Sequence, residues 1–261
     1  MPRGVNAYDE AKLQGRLWSP ELAGPSLWFD AADLSTIATI SGAVSEWRDK
    51  SGFGRHVSQT TGVSRPAYTA AGLNGLGVLT FDGVNDSLIQ VSYAFPTVYS
   101  IYAVGRSSAT SYSRLLSVSS GADIFGFMGT GPTGSQYATF FGNGVAWNDI
   151  TSNTPTQSIA STSIIGVVKA NAVGGAIPYV NGIAQNAKNG TTATASGFIL
   201  GTTSSNQQYW LGIMAEIIMI PALSDNPQRQ QIEGYLAHKW GMKGQLPASH
   251  PYINSPPLIG D

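Results

Sequence analysis

The chain has 261 residues with 14 Lys and Arg against 15 Asp and Glu, a formal net charge of −1, and only 11% charged residues beside 42% hydrophobic ones. So sparse and balanced a charge gives no field to gather phosphate polyanions or anionic lipid, which excludes nucleic acid and membrane surfaces as partners. Cysteine is absent, which excludes disulfide frameworks, zinc ribbons and thiol catalysis.

Residues 1 to about 24 read as an arm: weak helical character over 7–17 is broken by Pro20, Gly24 and Pro25. Met1-Pro2-Arg3-Gly4-Val5-Asn6 has no apolar run behind a basic start, so no export signal is expected. The folded domain is expected over 25–261. Strand signals lie at 26–30, 44–48, 78–81, 87–91, 98–105, 114–119, 124–128, 136–141, 164–169, 177–180, 198–201 and 210–220, rich in β-branched and aromatic residues and separated by Gly, Asn, Ser or Pro. The runs at 99–104 and 163–168 are almost continuously apolar, as strands covered on both faces are. Asn181-Gly182 has the residues of a type I′ hairpin, and Asn74-Gly75, Asn143-Gly144 and Asn189-Gly190 mark further turns. The apolar segment 213–220 is short and interrupted by Glu216, so no membrane span or insertion is expected. One helix is predicted at 226–240, with Asn226 as its cap, Pro227 at its first position and Gly241 as its stop. An extended surface tail follows from Leu246. No helical segments alternate with the strands, which argues for an all-β sandwich.

The carboxylates show no pair at the spacing of a strand-borne glycosidase site. The five glutamates are Glu10, Glu21, Glu46, Glu216 and Glu233, and Glu46 and Asp49 fall at opposite parity on a strand. The expectation is a chain that is not an enzyme, with Glu216 a buried, hydrogen-bonded structural carboxylate whose inward position raises its pKa. His56, His238 and His250 are dispersed, so no transition-metal site is expected, and His238 is placed on the helix surface. Gly129-Thr130-Gly131-Pro132-Thr133-Gly134 has the letters of a dinucleotide fingerprint, but strand-like residues follow where a helix is required. Calcium is the one cofactor left open: Asp82, Asn85 and Asp86 supply hard oxygens in one loop, or form an Asx turn that bonds its own backbone. For glycans, Tyr137, Asn143, Trp147, Asn148 and Asp149 join aromatic rings to amide and carboxylate groups, and Asn206, Gln207, Gln208 and Tyr209 form a second such group. Core capping by Trp147 is the alternative.

The runs Leu27-Trp28-Phe29-Asp30-Ala31-Ala32-Asp33, Trp47-Arg48-Asp49-Lys50-Ser51-Gly52 and Phe81-Asp82-Gly83-Val84-Asn85-Asp86-Ser87-Leu88, with the ending Ile232-Glu233-Gly234-Tyr235-Leu236-Ala237-His238-Lys239-Trp240-Gly241, Leu246-Pro247 and His250-Pro251-Tyr252, resemble the laminin-G-like, concanavalin A-like domains of bacterial and phage surface proteins. That resemblance implies a two-sheet antiparallel jelly-roll sandwich that binds or decorates surfaces. The function expected from it is a phage virion component (receptor-binding, fibre or capsid-decorating) made in the host cytoplasm. It would attach to host-surface glycan, self-associate, and join other virion proteins through the arm, which carries Tyr8, Leu13, Leu17 and Trp18. The alternatives are a bacterial carbohydrate-binding or adhesion module at the cell surface and a glycosidase.

Overall fold

The computed structural model describes residues 15–109, 113–118, 125–128, 138–142, 147–149, 161–187 and 195–261. In chain order the strands are β1 (Leu27–Asp30), β2 (Ile37–Ile40), β3 (Ala43–Trp47), β4 (Val57–Ser58), β5 (Ala67–Leu73), β6 (Leu76–Asp82), β7 (Leu88–Phe95), β8 (Tyr99–Ser107), β9 (Arg114–Val118), β10 (Phe125–Met128), β11 (Ala138–Gly142), β12 (Trp147–Asp149), β13 (Ser163–Lys169), β14 (Ala176–Val180), β15 (Ile183–Ala184), β16 (Ala195–Leu200) and β17 (Leu211–Ile220). Among the described residues one α-helix, α1 (Asn226–Lys239), follows them. Every pairing is antiparallel. One ladder runs β15-β14-β13-β8-β17, with β1 and β6 sharing the far edge of β17 and β5 beyond β6. A second runs β2-β3-β4-β7-β16-β9-β10-β11-β12. The single pair Ala43 and Ala67 joins them, so the strands form one continuous network where two separate sheets were expected. The arrangement is all-β and sandwich-like, closed by one C-terminal helix.

Alternation along the strands builds two cores. Leu27, Phe29, Phe81, Ile101, Ala103, Val167, Ile217 and Met219 of the first ladder meet Val44, Trp47, Leu88, Phe95, Val118, Phe198 and Leu200 of the second. The opposite face of the first ladder, with Trp28, Tyr102, Val104, Ile218 and Ile220, is covered by Ile232, Tyr235 and Leu236 of α1 and by Trp240 just after it. Strands β8 and β13 are therefore buried on both faces, as their unbroken apolar runs require. Full burial of each such side chain contributes roughly 1.5–3 kcal/mol.

The turns follow from their residues. Asn74-Gly75 and Asn181-Gly182 all have positive φ and close the β5–β6 and β14–β15 hairpins. Helix α1 is capped one residue earlier than expected: Asp225 is the cap and its carboxylate accepts the Gln228 N–H at 2.9 Å, placing Asn226 inside the helix. Gly241 ends the helix at φ 68°, and the Asn74 amide donates to the Trp240 carbonyl, fastening a hairpin tip to the helix end. The tail after Leu246 is not extended; turns at Pro247 to His250 and His250 to Ile253 fold it back, and His250 is buried. Among the described residues no helix is long and apolar enough to cross a membrane.

Candidate functional site

The segment after β3 closes on one carboxylate. Asp49 is buried and accepts from the backbone of Trp28 (2.9 Å), Ser51 (2.9 Å) and Arg55 (3.1 Å) and from the Ser51 hydroxyl (2.6 Å). Gly52 and Gly54, at φ 87° and 67°, let the chain reverse twice within three residues, and Phe53 between them is pushed outward, 63% exposed. The Arg55 guanidinium lies 4.3 Å from the Phe53 ring centre and 4.8 Å from that of buried Tyr93, and its Nη1 donates to the Ser26 carbonyl at 2.6 Å. His56 Nδ1 accepts the Asp49 N–H at 3.0 Å, which leaves the ring proton on Nε2 as a donor. The result is a presented aromatic ring stacked on a flat cation. It was not singled out from the sequence, although an aromatic residue between two glycines next to a basic one is a readable signal.

The proposed calcium residues do share one loop. Asp82 Oδ1 accepts the N–H groups of Val84 (2.8 Å) and Asn85 (3.2 Å), and Asp86 Oδ2 accepts that of Asp82 (2.9 Å), an Asx turn bonding its own backbone. Burial, and secondarily the Asp82 charge, raises the Asp86 carboxyl to about 6. Among the described residues no three His, Cys, Asp or Glu side chains converge as metal ligands.

Two further clusters lie under α1. Glu216 has no exposure and accepts from Trp28 Nε1 (2.8 Å), Tyr235 OH (3.2 Å), Lys239 Nζ (2.7 Å) and Trp240 Nε1 (2.8 Å). Lys239 also pairs with Asp30 at 2.7 Å, and Lys50 links Asp30 (3.0 Å) to Asp33 (2.8 Å). Burial pushes the Glu216 carboxyl up against the pull of Lys239; for Asp30 burial pushes up too, but Lys239 and Lys50 outweigh it and hold the group low. In the second cluster Glu233 is bound by Arg229 (2.6 Å) and His250 (3.3 Å). His238 is not free on the surface: half-buried, it donates from Nε2 to the Tyr252 carbonyl at 2.8 Å. Gly234 makes room for Tyr252, whose Cβ would stand 2.5 Å from any added side-chain carbon.

Of the glycan candidates, Trp147, Asn148 and Asp149 form β12, the last strand of the second ladder among the described residues, opposite Gly142, Phe141 and Phe140 of β11. Tyr137 and Asn143 lie outside the described residues, as does the Gly129 to Gly134 segment; the next described element is strand β11. The second group lies in the β16–β17 connection, where Asn206 (φ 54°) and Gln208 (φ 57°) bend the chain and the Thr202 and Thr203 hydroxyls hold the Gln207 carbonyl at 2.8 and 3.0 Å. Asn206 and Gln207 are exposed there.

No protein-family model and no curated protein matches the chain. Solved structures do. Domain 4 of AbnA, a GH43 extracellular arabinanase from Geobacillus stearothermophilus, in complex with arabinotriose, superposes with a TM-score of 0.59 at 12% identity, covering 78% of this chain and 95% of that one. Trypanosoma rangeli sialidase in complex with sialic acid gives 0.58 at 11% identity over 83% of this chain, and the binding domain of botulinum neurotoxin serotype D gives 0.57 at 7% over 82%. The chain spans 33% of the sialidase and 52% of the toxin domain. At these identities the shared property is the fold, one that occurs in carbohydrate-associated proteins.

These likenesses overturn one expectation. The carboxylate spacing predicts a chain that is not an enzyme, yet an arabinanase and a sialidase both carry this fold, so the fold does not separate the chain from glycosidases. Spacing along a single strand does not reveal carboxylates paired across strands: the β1–β17 register sets Asp30 directly opposite Glu216, with Lys239 between them.

Proposed function

We propose that the chain is a carbohydrate-recognition module of the concanavalin A-like, laminin-G-like jelly-roll kind, binding glycan at a surface. The observation that carries this reading is the Phe53 loop: an exposed ring, fixed by two glycines and a buried carboxylate, next to hydrogen-bond donors. A ring offers stacking area to the apolar face of a pyranose or furanose while the neighbouring donors bond its oxygens. The fold likeness to an arabinanase domain in complex with arabinotriose supports the same reading. The likenesses favour such a module over the virion component, for which no structural observation speaks. Strand β12, with Trp147, Asn148 and Asp149, preceded in sequence by Tyr137 and Asn143, is the second proposed contact.

The test is a glycan array probed with the full chain, followed by calorimetry on each hit. Phe53→Ala is expected to weaken binding by about 1–3 kcal/mol without moving the melting temperature, as loss of one aromatic anchor does. Trp147→Ala decides whether β12 contributes to the same affinity. An array with no hit above background refutes the proposal.

A further inference from the structure

We propose that Lys239 and Asp30 condense into an intramolecular isopeptide bond that fastens α1 to β1 covalently, with Glu216 relaying a proton. The bond needs no glycan, so it stands or falls apart from the carbohydrate reading.

Three reacting groups meet under the helix, shielded from water. Lys239 Nζ lies 2.7 Å from Asp30 Oδ1 and 2.7 Å from Glu216 Oε2, and the side chains of Lys239, Asp30 and Glu216 are 7%, 6% and 0% exposed. A hydrogen bond to Oδ1 puts Nζ roughly 3–4 Å from Cγ, close to the separation from which an amine attacks a carbonyl carbon. The β1–β17 register sets Asp30 opposite Glu216, and Lys239, the last residue of α1, reaches both. Trp28 Nε1, Tyr235 OH and Trp240 Nε1 fix Glu216, and the rings of Tyr235 and Trp240 stand 5.4 and 5.2 Å from the Lys239 nitrogen.

The step balances with these groups alone. One Lys239 proton moves to Asp30 Oδ1 along their 2.7 Å contact, leaving an amine beside a carboxylic acid. Burial favours this neutral pair, because neither charge has bulk water to stabilise it. Burial pushes the Asp30 carboxyl up, and of the two lysines that outweigh it, Lys239 pulls harder; that pull vanishes once Lys239 gives up its proton. Nζ then bonds to Cγ, and the Cγ–Oδ1 bond breaks. Oδ1 leaves as water, carrying the first proton and a second that passes from Nζ through Glu216 Oε2; the third stays on the amide nitrogen. Burial raises the Glu216 carboxyl, the direction a proton carrier requires. Lys50, shared between Asp30 and Asp33 and 23% exposed, lies 3.0 Å from Oδ2, the oxygen on which negative charge builds in the tetrahedral intermediate. The amide replaces a buried cation and a buried anion and so removes the cost of desolvating both.

The experiment is intact-mass spectrometry of the purified, folded full chain, followed by tandem sequencing of its digests. The parent should be lighter than its sequence by one water, with the peptides carrying Asp30 and Lys239 joined, and should migrate faster on a denaturing gel than the unlinked chain. Asp30→Ala and Lys239→Arg should each show the full mass, and Glu216→Gln should retain the water in most molecules. Asp82-Gly83 can also lose one water, as a succinimide, which hydroxylamine cleaves and an isopeptide bond resists. A folded parent at full mass, a deficit located at Asp82, or a link from Lys239 to Glu216 overturns the inference. A folded Glu216→Gln chain that loses the water as completely as the parent overturns the relay assigned to Glu216. The parent's mass decides the bond even where a variant fails to fold.

Discussion

Replacing Glu216 by Gln tests whether this carboxylate holds the helix to the sheet. Oε1 accepts from Trp28 Nε1 and Tyr235 OH, and Oε2 from Lys239 Nζ and Trp240 Nε1, all without solvent. A glutamine keeps one accepting oxygen and sets an NH2 group against two donors, so two buried donors lose their partner whichever way the amide turns. Each lost hydrogen bond to a charged group costs about 1.5–3 kcal/mol, partly offset because a buried negative charge is removed. Lys239 meanwhile retains Asp30 at 2.7 Å. Breaking one side of a buried ion pair typically costs about 3–5 kcal/mol, and for a chain of this size each kcal/mol lowers the melting temperature by roughly 2–4 °C. The expected fall is therefore about 6–20 °C at pH 7, read by calorimetry or circular dichroism. The double variant Glu216→Gln with Lys239→Met should recover part of the loss, because it removes the under-compensated cation. A single variant within 2 °C of the parent, or a double variant less stable than the sum of the two single losses, would refute the reasoning.

Lys169 is buried with the Thr97 carbonyl (2.6 Å) and the Tyr99 ring (5.1 Å) near its ammonium among the described residues, and burial lowers its pKa from 10.5 to about 8. The unfolded chain thus binds the extra proton between those values, so stability should rise with pH across pH 8 to 10; Lys169→Met should gain about 1–2 kcal/mol at pH 7 and flatten that rise, and a loss at pH 7 would contradict it. Asp86, raised to about 6, stabilises the fold only while protonated: its contribution is complete below pH 3.8 and lost as pH rises through 6. Asp86→Asn should consequently gain stability relative to the parent at pH 7 but not at pH 3. Millimolar calcium should raise the parent's melting temperature and leave the variant's unmoved if Asp82, Asn85 and Asp86 hold a cation, and an equal response of both removes calcium from this loop. At the N-terminal end, Trp18 N–H donates to the Pro257 carbonyl (3.0 Å), Ile259 N–H to that of Arg16 (2.8 Å), and the Trp18 ring meets Tyr235 edge-on at 6.0 Å. Deleting 2–14 should leave the melting temperature within 2 °C while light scattering reports any loss of self-association; deleting 2–18 should cost about 3–5 kcal/mol, the scale of removing a packed Trp.

Much of the strand framework is legible because its signal is local. The run Tyr99-Ser100-Ile101-Tyr102-Ala103-Val104 announces burial on both faces, and Asn-Gly dipeptides announce hairpins through their tolerance of positive φ. Strand β5 is not legible, since Ala67-Tyr68-Thr69-Ala70-Ala71-Gly72-Leu73 has little strand propensity; it is held by pairing with β6, with Gly77 yielding space for the Tyr68 ring. The helix cap slipped by one residue because Asp225 and Asn226 are both good caps, and only geometry shows which side chain reaches Gln228. The Asp30 and Glu216 pair was invisible for a different reason: the two are brought together by the register of strands distant in sequence. Phe53 gives no periodic signal, because apolar periodicity marks rings that are buried and a presented ring breaks the period.

The residues that carried the resemblance to laminin-G-like domains have a common structural role, and that limits what the resemblance can transfer. Trp28 donates to Glu216, Asp30 and Lys239 pair beside it, and Trp240 closes the same carboxylate from the helix end. Glu233 takes Arg229 and His250, Gly234 admits Tyr252, and His238 holds the Tyr252 carbonyl. Asp49 gathers the loop that grips the backbone of β1. Each of these groups locks the helix and tail onto the sheet or shapes the loop beneath, and nearly all are buried. A motif composed of such locks identifies the architecture and is silent on ligand, because ligand contact requires exposed groups that the locks do not need. In this chain one exposed position next to such a lock is Phe53, the residue after Gly52, where the side chain turns outward.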